Sequence, residues 1–261
     1  MIIDSHCHLH DPVFGDTRSA VTRAIEHDVW GIVAVGGDAA SNLRTLDAAA
    51  QNGKMVWPAF GFHPERATLT DDEIDRVEDQ VAQHHSRLVA LGEVGLPWYS
   101  LDGAADPMSL MTRGRHRFAR LLDLAARFDL PVVVHAPHAA AKLALETLKD
   151  KRIERAFFHW HKAPEDVTRA IVDAGYFVSV TPEVVYRERD RGLVETVPLE
   201  SLLVESDGPW PYTGEFEGLT SGPWLCARVA EEVAKLKHLP TDEAVYRLSV
   251  NTCQLFDLVW A

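Results

Sequence analysis

The chain has 261 residues, of which 46% are hydrophobic and 25% are charged, a composition typical of a soluble globular protein with a large core. Its formal net charge of -13 argues against a broad basic surface for binding nucleic acid regardless of sequence, although bound divalent cations could still attract a phosphate substrate. No apolar run is long enough to cross a bilayer, no secretory leader is recognisable, and three widely spaced cysteines do not suggest a disulfide framework, so we expect a cytoplasmic protein that does not contact membranes.

Eight short apolar runs alternate along the chain with stretches of helical periodicity. The runs are rich in Val, Ile, Phe and Leu and are bounded by Gly, Pro or a charge, which is typical of strands buried on both faces of a parallel sheet. In chain order they read MIID, GIVAVG, MVWPAFGF, RLVALGEVGL, LPVVVHA, ERAFFHW, YFVSVT and SLLVESD.

The segments between these runs carry helix signals. Acidic residues at 71–73, and Pro164 followed by two acids, are predicted helix starts, and two more helical stretches follow the eighth run. Eight strands alternating with helices predict an α/β protein, a (β/α)8 TIM barrel that forms one domain over residues 1–261. An open doubly wound sheet is the alternative, but its G-x-G-x-x-G signature is absent.

Imidazoles and carboxylates stand at the ends of six of the eight runs. Because the carboxyl ends of barrel strands meet at one rim, we expect these side chains to lie close together. His6 and His8 are two residues apart, so in an extended strand both side chains point to the same side. The full set is His6, His8, His63, Glu93, His135, His159 and Asp207.

Four of these imidazoles and both carboxylates form a plausible metal site. Such donors suit Zn, Mn, Fe or Ni and tolerate Mg. Six ligands exceed what one tetrahedral ion needs, whereas two divalent ions bridged by a carboxylate would use them all. The predicted metal ligands are His6, His8, Glu93, His135, His159 and Asp207.

An ordered series of motifs resembles the TatD-like metal-dependent hydrolases of the amidohydrolase superfamily. The motifs are DSHCHL, FGFHPE, LGEVGL, VVVHAPH, HWHKA, ESDGPW and SVNTCQLF, and they run almost from end to end of the chain. The resemblance implies a (β/α)8 barrel that hydrolyses phosphodiesters, with DNA as substrate and 3′–5′ exonuclease character. It also implies that His6, His8 and Asp207 bind one metal, that His135 and His159 bind the second, and that Glu93 bridges them.

The chain departs from the family pattern near the substrate. Pro97 stands where the family usually has Asp, and HWHKA and SDGPWP replace more common sequences. The predicted metal ligands are all present, whereas residues near the substrate differ. The alternative function is therefore a hydrolase with the same binuclear site that takes a small-molecule ester, lactone, amide or phosphate as substrate. A non-catalytic binding module is least favoured, because it predicts missing ligands.

The expected mechanism is hydrolysis by a metal-activated water. The predicted catalytic residues are Asp207, as general base, and Glu93, as the bridging ligand. The predicted substrate-binding residues are His63, as a substrate contact or acid, and His161 and Lys162, which would neutralise charge in the transition state.

Other residues have both a functional and a structural interpretation. Arg187, Arg189 and Arg191 follow the seventh run and could bind phosphate or form a solvated surface. Aromatic residues after the ligand-bearing strands could stack on bases or pack in the core; these are Trp98, Tyr99, Trp160, Trp210 and Tyr212.

Overall fold

The computed structural model of the protein describes residues 1–66 and 70–259. Eight strands form one sheet in the order β1 to β8, and every neighbouring pair is parallel. The strands are β1 (Ile2–Cys7), β2 (Val29–Val35), β3 (Val56–Phe60), β4 (Ala90–Gly95), β5 (Val132–His135), β6 (Ala156–Phe158), β7 (Phe177–Val180) and β8 (Leu202–Val204). This sequential order confirms the predicted (β/α)8 barrel and excludes the open doubly wound sheet.

The sheet curls round until its first and last strands meet. The Ser5 hydroxyl donates to the Val204 carbonyl at 2.9 Å, and the Asp207 amide donates to the His6 carbonyl at 3.0 Å. Below them, the buried Asp4 carboxyl accepts from the Ser206 amide at 2.9 Å and from the Ser206 hydroxyl at 2.6 Å. These short polar contacts therefore hold β1, which carries His6, against the loop after β8, which carries Asp207.

Helices connect the strands and cover the outside of the barrel. In the described ranges they are α1 (Thr17–Glu26), α2 (Ala39–Asn52), α3 (Asp71–His84), α4 (Pro107–Phe128), α5 (Ala140–Asp150), α6 (Glu165–Asp173), α7 (Glu188–Thr196), α8 (Cys226–Leu236) and α9 (Thr241–Phe256). Helix α3 begins at Asp71 and α6 begins directly after Pro164, as the sequence predicts. None of the helices within residues 1–66 and 70–259 combines the length and the apolarity that a bilayer span requires.

Alternate strand residues supply two apolar clusters. The larger cluster joins the outer strand face to the helices, with Ile32 and Ala34 of β2 among its members. The smaller one takes the intervening residues, such as Val33 and Val35, together with Leu255 and Phe256 of α9. Since the Ser249 hydroxyl of α9 donates to the carbonyl of Met1 at 2.8 Å, α9 closes the amino-terminal end of the barrel. The predicted metal ligands lie at the opposite, carboxyl-terminal end of the barrel.

Candidate metal centre

The six predicted ligands converge at the carboxyl-terminal rim of the barrel. We call His6, His8, Glu93, His135, His159 and Asp207 the metal centre. The Glu93 carboxylate lies in the middle of the group, fully buried at the end of β4. Gly61 of the neighbouring β3 loop permits this position, because a Cβ at residue 61 would overlap the Glu93 backbone.

One oxygen of Glu93 faces the β1 histidines. Glu93 Oε2 lies 3.5 Å from His6 Nε2 and 3.4 Å from His8 Nε2. Asp207 Oδ1 lies 3.3 Å from His6 Nε2 and 3.5 Å from His8 Nε2. These separations exceed the 2.7–2.9 Å or so of a charge-assisted hydrogen bond.

The other oxygen of Glu93 faces the β5 and β6 histidines. Glu93 Oε1 lies 2.6 Å from His135 Nδ1, 2.7 Å from His159 Nε2 and 3.3 Å from His63 Nε2. His135 Nδ1 and His159 Nε2 are themselves 3.1 Å apart. The structure thus adds His63 to this side, in a group with Glu93 and His135 whose donor atoms lie within 4.8 Å of one another.

The donor atoms around His6 fit a divalent cation. Two ligands of a tetrahedral ion with bonds of about 2.1 Å lie about 3.4 Å apart, which matches the distances on the β1 side. Both ring nitrogens of His6, Oε2 of Glu93 and Nδ1 of His159 are buried without a hydrogen-bond partner among the described residues. Buried polar atoms without partners are costly, and a cation bound between His6 and Glu93 would satisfy Nε2 of His6 and Oε2 of Glu93.

The charges of the centre reinforce one another. Burial alone would raise the pKa of Glu93, but His63 and His159 outweigh it and hold the pKa well below its ordinary value. Burial would likewise raise the pKa of Asp207, yet its contact with His6 leaves that pKa lowered. Both carboxylates are therefore ionised at neutral pH and available as ligands or proton acceptors.

The backbone is strained at two strand ends next to this centre. Asp207 has a φ of 42° and Trp160, directly after His159, has a φ of 39°. L-residues rarely adopt such left-handed conformations, and here the surrounding structure holds one of the predicted ligands and the neighbour of another in them.

Two further carboxylates, which the sequence interpretation missed, stand behind the β5 and β6 histidines. Glu205 Oε1 lies 3.4 Å from His159 Nδ1, and Glu205 accepts hydrogen bonds from the Trp160 amide and the Ser179 hydroxyl. Glu65 Oε1 lies 3.2 Å from His135 Nε2. Glu205 belongs to the motif ESDGPW and Glu65 to the motif FGFHPE, and membership of these motifs is the sequence signal that could have identified them.

The metal centre forms one end of a cavity of about 900 Å³. Lys162 lines this cavity, with Nζ 3.4 Å from the centroid of the Trp160 ring. Burial lowers the pKa of Lys162 to about 8. In the described part of the chain no carboxylate lies within 4 Å of Nζ, so this ammonium is available to an anionic ligand.

The arginines after β7 divide into two kinds. Arg187 and Arg189 line the cavity and are held by Glu183, at 2.6 Å and 2.7 Å. Arg191 instead pairs with Glu232 at 2.6 Å, outside the cavity lining. The cavity lining therefore contains three cationic side chains, Lys162, Arg187 and Arg189, and the two arginines are paired with Glu183, which lines the cavity too.

The position of His161 contradicts its predicted role as a substrate contact. Its ring is 3% exposed, it is not part of the cavity lining, and Nε2 lies 2.8 Å from the Thr168 hydroxyl. Burial lowers the pKa of His161 to about 3, so the ring is neutral. The error arises because His161 lies in the loop after β6, where His159, Trp160 and Lys162 line the cavity but the His161 ring turns to Thr168 of α6.

The aromatic residues also separate into two kinds. Tyr99 and Trp210 line the cavity and are half exposed, whereas the Trp160 ring is mostly buried in its wall. Tyr212 is buried, and its hydroxyl donates to the Ser206 carbonyl at 2.7 Å, so it packs beneath the rim.

Comparisons with known proteins agree with this architecture. The model of the family described as TatD related DNase matches residues 3–257. An uncharacterized metal-dependent hydrolase of Haemophilus influenzae is 31% identical over 258 residues, which cover 99% of this chain and 100% of that protein. The human deoxyribonuclease TATDN3 is 26% identical over 263 residues, covering 98% of this chain and 94% of that protein. The crystal structure of YjjV, a TatD homologue from Escherichia coli, superposes with a TM-score of 0.88 at 28% identity, covering 99% of this chain and 98% of that one.

Proposed function

The chain belongs to the TatD related DNase family, and on that premise we propose that it is a divalent-metal-dependent hydrolase that cleaves phosphodiester bonds in DNA. The observation that carries the proposal is that one cavity is lined both by carboxylates and imidazoles of the metal centre and by the ammonium of Lys162. Phosphodiesters are anions whose cleavage needs both a nucleophilic water and neutralisation of charge.

We assign the metal centre to two divalent cations, drawn from Zn, Mg, Mn, Ni and Fe. His6, His8 and Asp207 would hold one and His135 and His159 the other, with one oxygen of Glu93 directed to each side. Bound cations supply Lewis acidity, which makes a water molecule easier to deprotonate and polarises a phosphoryl oxygen. The donor set of imidazoles and carboxylates suits these metals.

Asp207 is the proposed general base. Its carboxylate is ionised and lies at the cavity surface, where it can accept a proton from the attacking water. Lys162 and Arg189 line the same cavity and would contact non-bridging oxygens of the scissile phosphate. His63, which lines the cavity 3.3 Å from Glu93, is placed to contact the substrate or to donate a proton to the leaving group.

The shape of the site favours cleavage at the ends of DNA strands over cleavage at internal phosphodiesters. The cavity is concave, and Tyr99 and Trp210 at its edges offer ring faces on which unpaired bases can stack. The net charge of -13 provides no broad basic track for a long duplex. We therefore propose an exonuclease that removes nucleotides from a single-stranded end, and the family resemblance is what favours the 3′–5′ direction.

One experiment separates this function from its alternative. The zinc-loaded and manganese-loaded protein is incubated with single-stranded DNA labelled at either end, and in parallel with a panel of esters, lactones, amides and phosphate monoesters. Stepwise shortening from the 3′ end, lost in D207N, supports the proposal. Turnover of a small ester or phosphate without DNA cleavage would instead favour a small-molecule hydrolase, for which a cavity of about 900 Å³ is also large enough.

A further inference from the structure

We infer that Glu65 is a positioning residue that fixes the tautomer of His135 and so presents Nδ1 of that ring to the second metal. The inference rests on the proposed function only in requiring that the centre binds metal. Neither the family resemblance nor the ligand pattern in the sequence assigns Glu65 a role.

The Glu65 carboxylate is itself held firmly. Its Oε1 accepts from the amides of Trp98 at 2.7 Å and Tyr99 at 3.1 Å, and its Oε2 accepts from the amide of Ser100 at 2.8 Å. The side chain is 15% exposed. Three backbone donors converging on one carboxyl group favour its ionised form, which can only accept hydrogen bonds.

This arrangement determines which nitrogen of His135 carries a proton. Glu65 Oε1 lies 3.2 Å from Nε2, so Nε2 must be the donor of that contact. Nδ1 lies 2.6 Å from Glu93 Oε1 and 3.1 Å from His159 Nε2, and a cation bound there would replace any proton on Nδ1. The proton that Glu65 holds would then remain on Nε2, which leaves the lone pair of Nδ1 for the cation. Carboxylates behind ligating histidines orient the ring and increase its basicity in this way.

Glu65 also connects the metal centre to the cavity wall. Tyr99 lines the cavity, and its amide is one of the three that hold the carboxylate. Loss of Glu65 would leave three amides without an acceptor and would free the ring of His135 to turn. The side chain thus joins the loops after β3 and β4 to the ligand at the end of β5.

The test measures zinc binding and ring protonation, without any substrate. Metal-stripped wild type, E65A and the control E73Q are titrated with zinc against a competing chelator. Glu73 is a matched control because it is 16% exposed and accepts from the amide of Ala39 at 2.9 Å, without an ion pair to any residue of the metal centre. We expect E65A to lose about 10–100-fold in affinity at the zinc site that contains His135, and E73Q to bind as wild type does.

Nitrogen-15 and carbon-13 spectra of histidine-labelled, zinc-loaded protein provide the second readout. In wild type, His135 should show an Nδ1-bound ring and an Nε2 proton protected from exchange, and E65A should lose that protection. Unchanged zinc affinity together with a still-protected proton in E65A would overturn the inference. If E65A does not fold, the wild-type spectrum alone decides, because an Nε2-bound His135 contradicts the assignment.

These readouts are independent of the substrate. If the protein binds zinc as described but cleaves no DNA, the proposed nuclease activity is wrong and the role of Glu65 stands. If the protein cleaves DNA but binds the metal through Nε2 of His135, the nuclease activity stands and the role of Glu65 is wrong.

Discussion

Glu93 and His135 are 42 residues apart in the chain, yet Oε1 of the first lies 2.6 Å from Nδ1 of the second. The contact exists because β4 and β5 are adjacent parallel strands, with Gly95 paired to His135 in the register. Parallel strands bring side chains at their carboxyl ends to the same edge, and in this barrel the same edge carries the β1 and β6 ligands. The chemistry of the rim thus follows from strand order and not from proximity along the chain.

Replacing Glu93 with glutamine should nearly abolish activity. Glutamine keeps the size of the side chain but removes the charge and one acceptor oxygen from the centre of the group. We expect kcat/KM on DNA to fall by at least about 100-fold and the metal content per chain to decrease, since even outer-shell changes cost about 10–100-fold. Kinetics with metal analysis measure both, with E73Q as the control. Near-normal turnover would refute the bridging role.

The ammonium of Lys162 should impose an alkaline limit on activity. Burial lowers its pKa to about 8, so the group is protonated below that pH and loses its charge above it. We expect kcat/KM on DNA to fall as the pH rises through about 8, and the fall to disappear in K162R, because arginine stays charged.

A charge-removing variant tests the same residue at neutral pH. K162M should lower kcat/KM about 10–100-fold, the cost of one hydrogen bond to a charged group. Lys149 is an exposed lysine on α5, and K149M is the control. Unchanged kinetics in K162M would show that the substrate phosphate binds elsewhere.

Metal removal should destabilise the fold as well as stop catalysis. The buried nitrogens of His6 lack partners among the described residues, so a cation that binds only the folded chain stabilises it. At a free zinc concentration 100 times the dissociation constant, the gain is about 2.7 kcal/mol. Denaturant unfolding of chelator-treated protein, with and without added zinc, measures this gain. Coincident unfolding curves would argue against a metal site at this position.

His161 should contribute to stability and not to catalysis. Its ring packs beneath the cavity wall beside Thr168, so H161L removes one buried contact but no substrate contact. We expect kcat/KM on DNA within about twofold of wild type and a loss of about 1 kcal/mol in the free energy of unfolding. A large rise in KM at unchanged stability would restore the original prediction for this residue.

The barrel could be predicted because strand and helix signals alternate regularly. Buried parallel strands are short and uniformly apolar, and runs such as GIVAVG and LPVVVHA differ clearly from the amphipathic stretches between them. The H-x-H spacing then placed two side chains on one side of β1, and the structure brings both to within 3.5 Å of Glu93.

The roles of Glu65 and His161 could not be read from the sequence, for different reasons. The donors that hold Glu65 are amides 33–35 residues further along the chain, and no local pattern indicates which loop will supply them. His161 lies in a short loop after β6, where strand alternation ends and only the fold decides which side chains face the cavity. Sequence spacing predicts which side chains share a face of one strand or helix, but contacts between loops depend on how the folded loops pack.

The meeting of β1 with the loop after β8 sets the order in which this protein can become competent. His6 is translated 201 residues before Asp207, whose amide secures the His6 carbonyl. A nascent chain that has not reached residue 207 therefore lacks both a ligand of the proposed first metal and the contact that fixes His6. The full ligand set for that metal can form only once translation has passed β8.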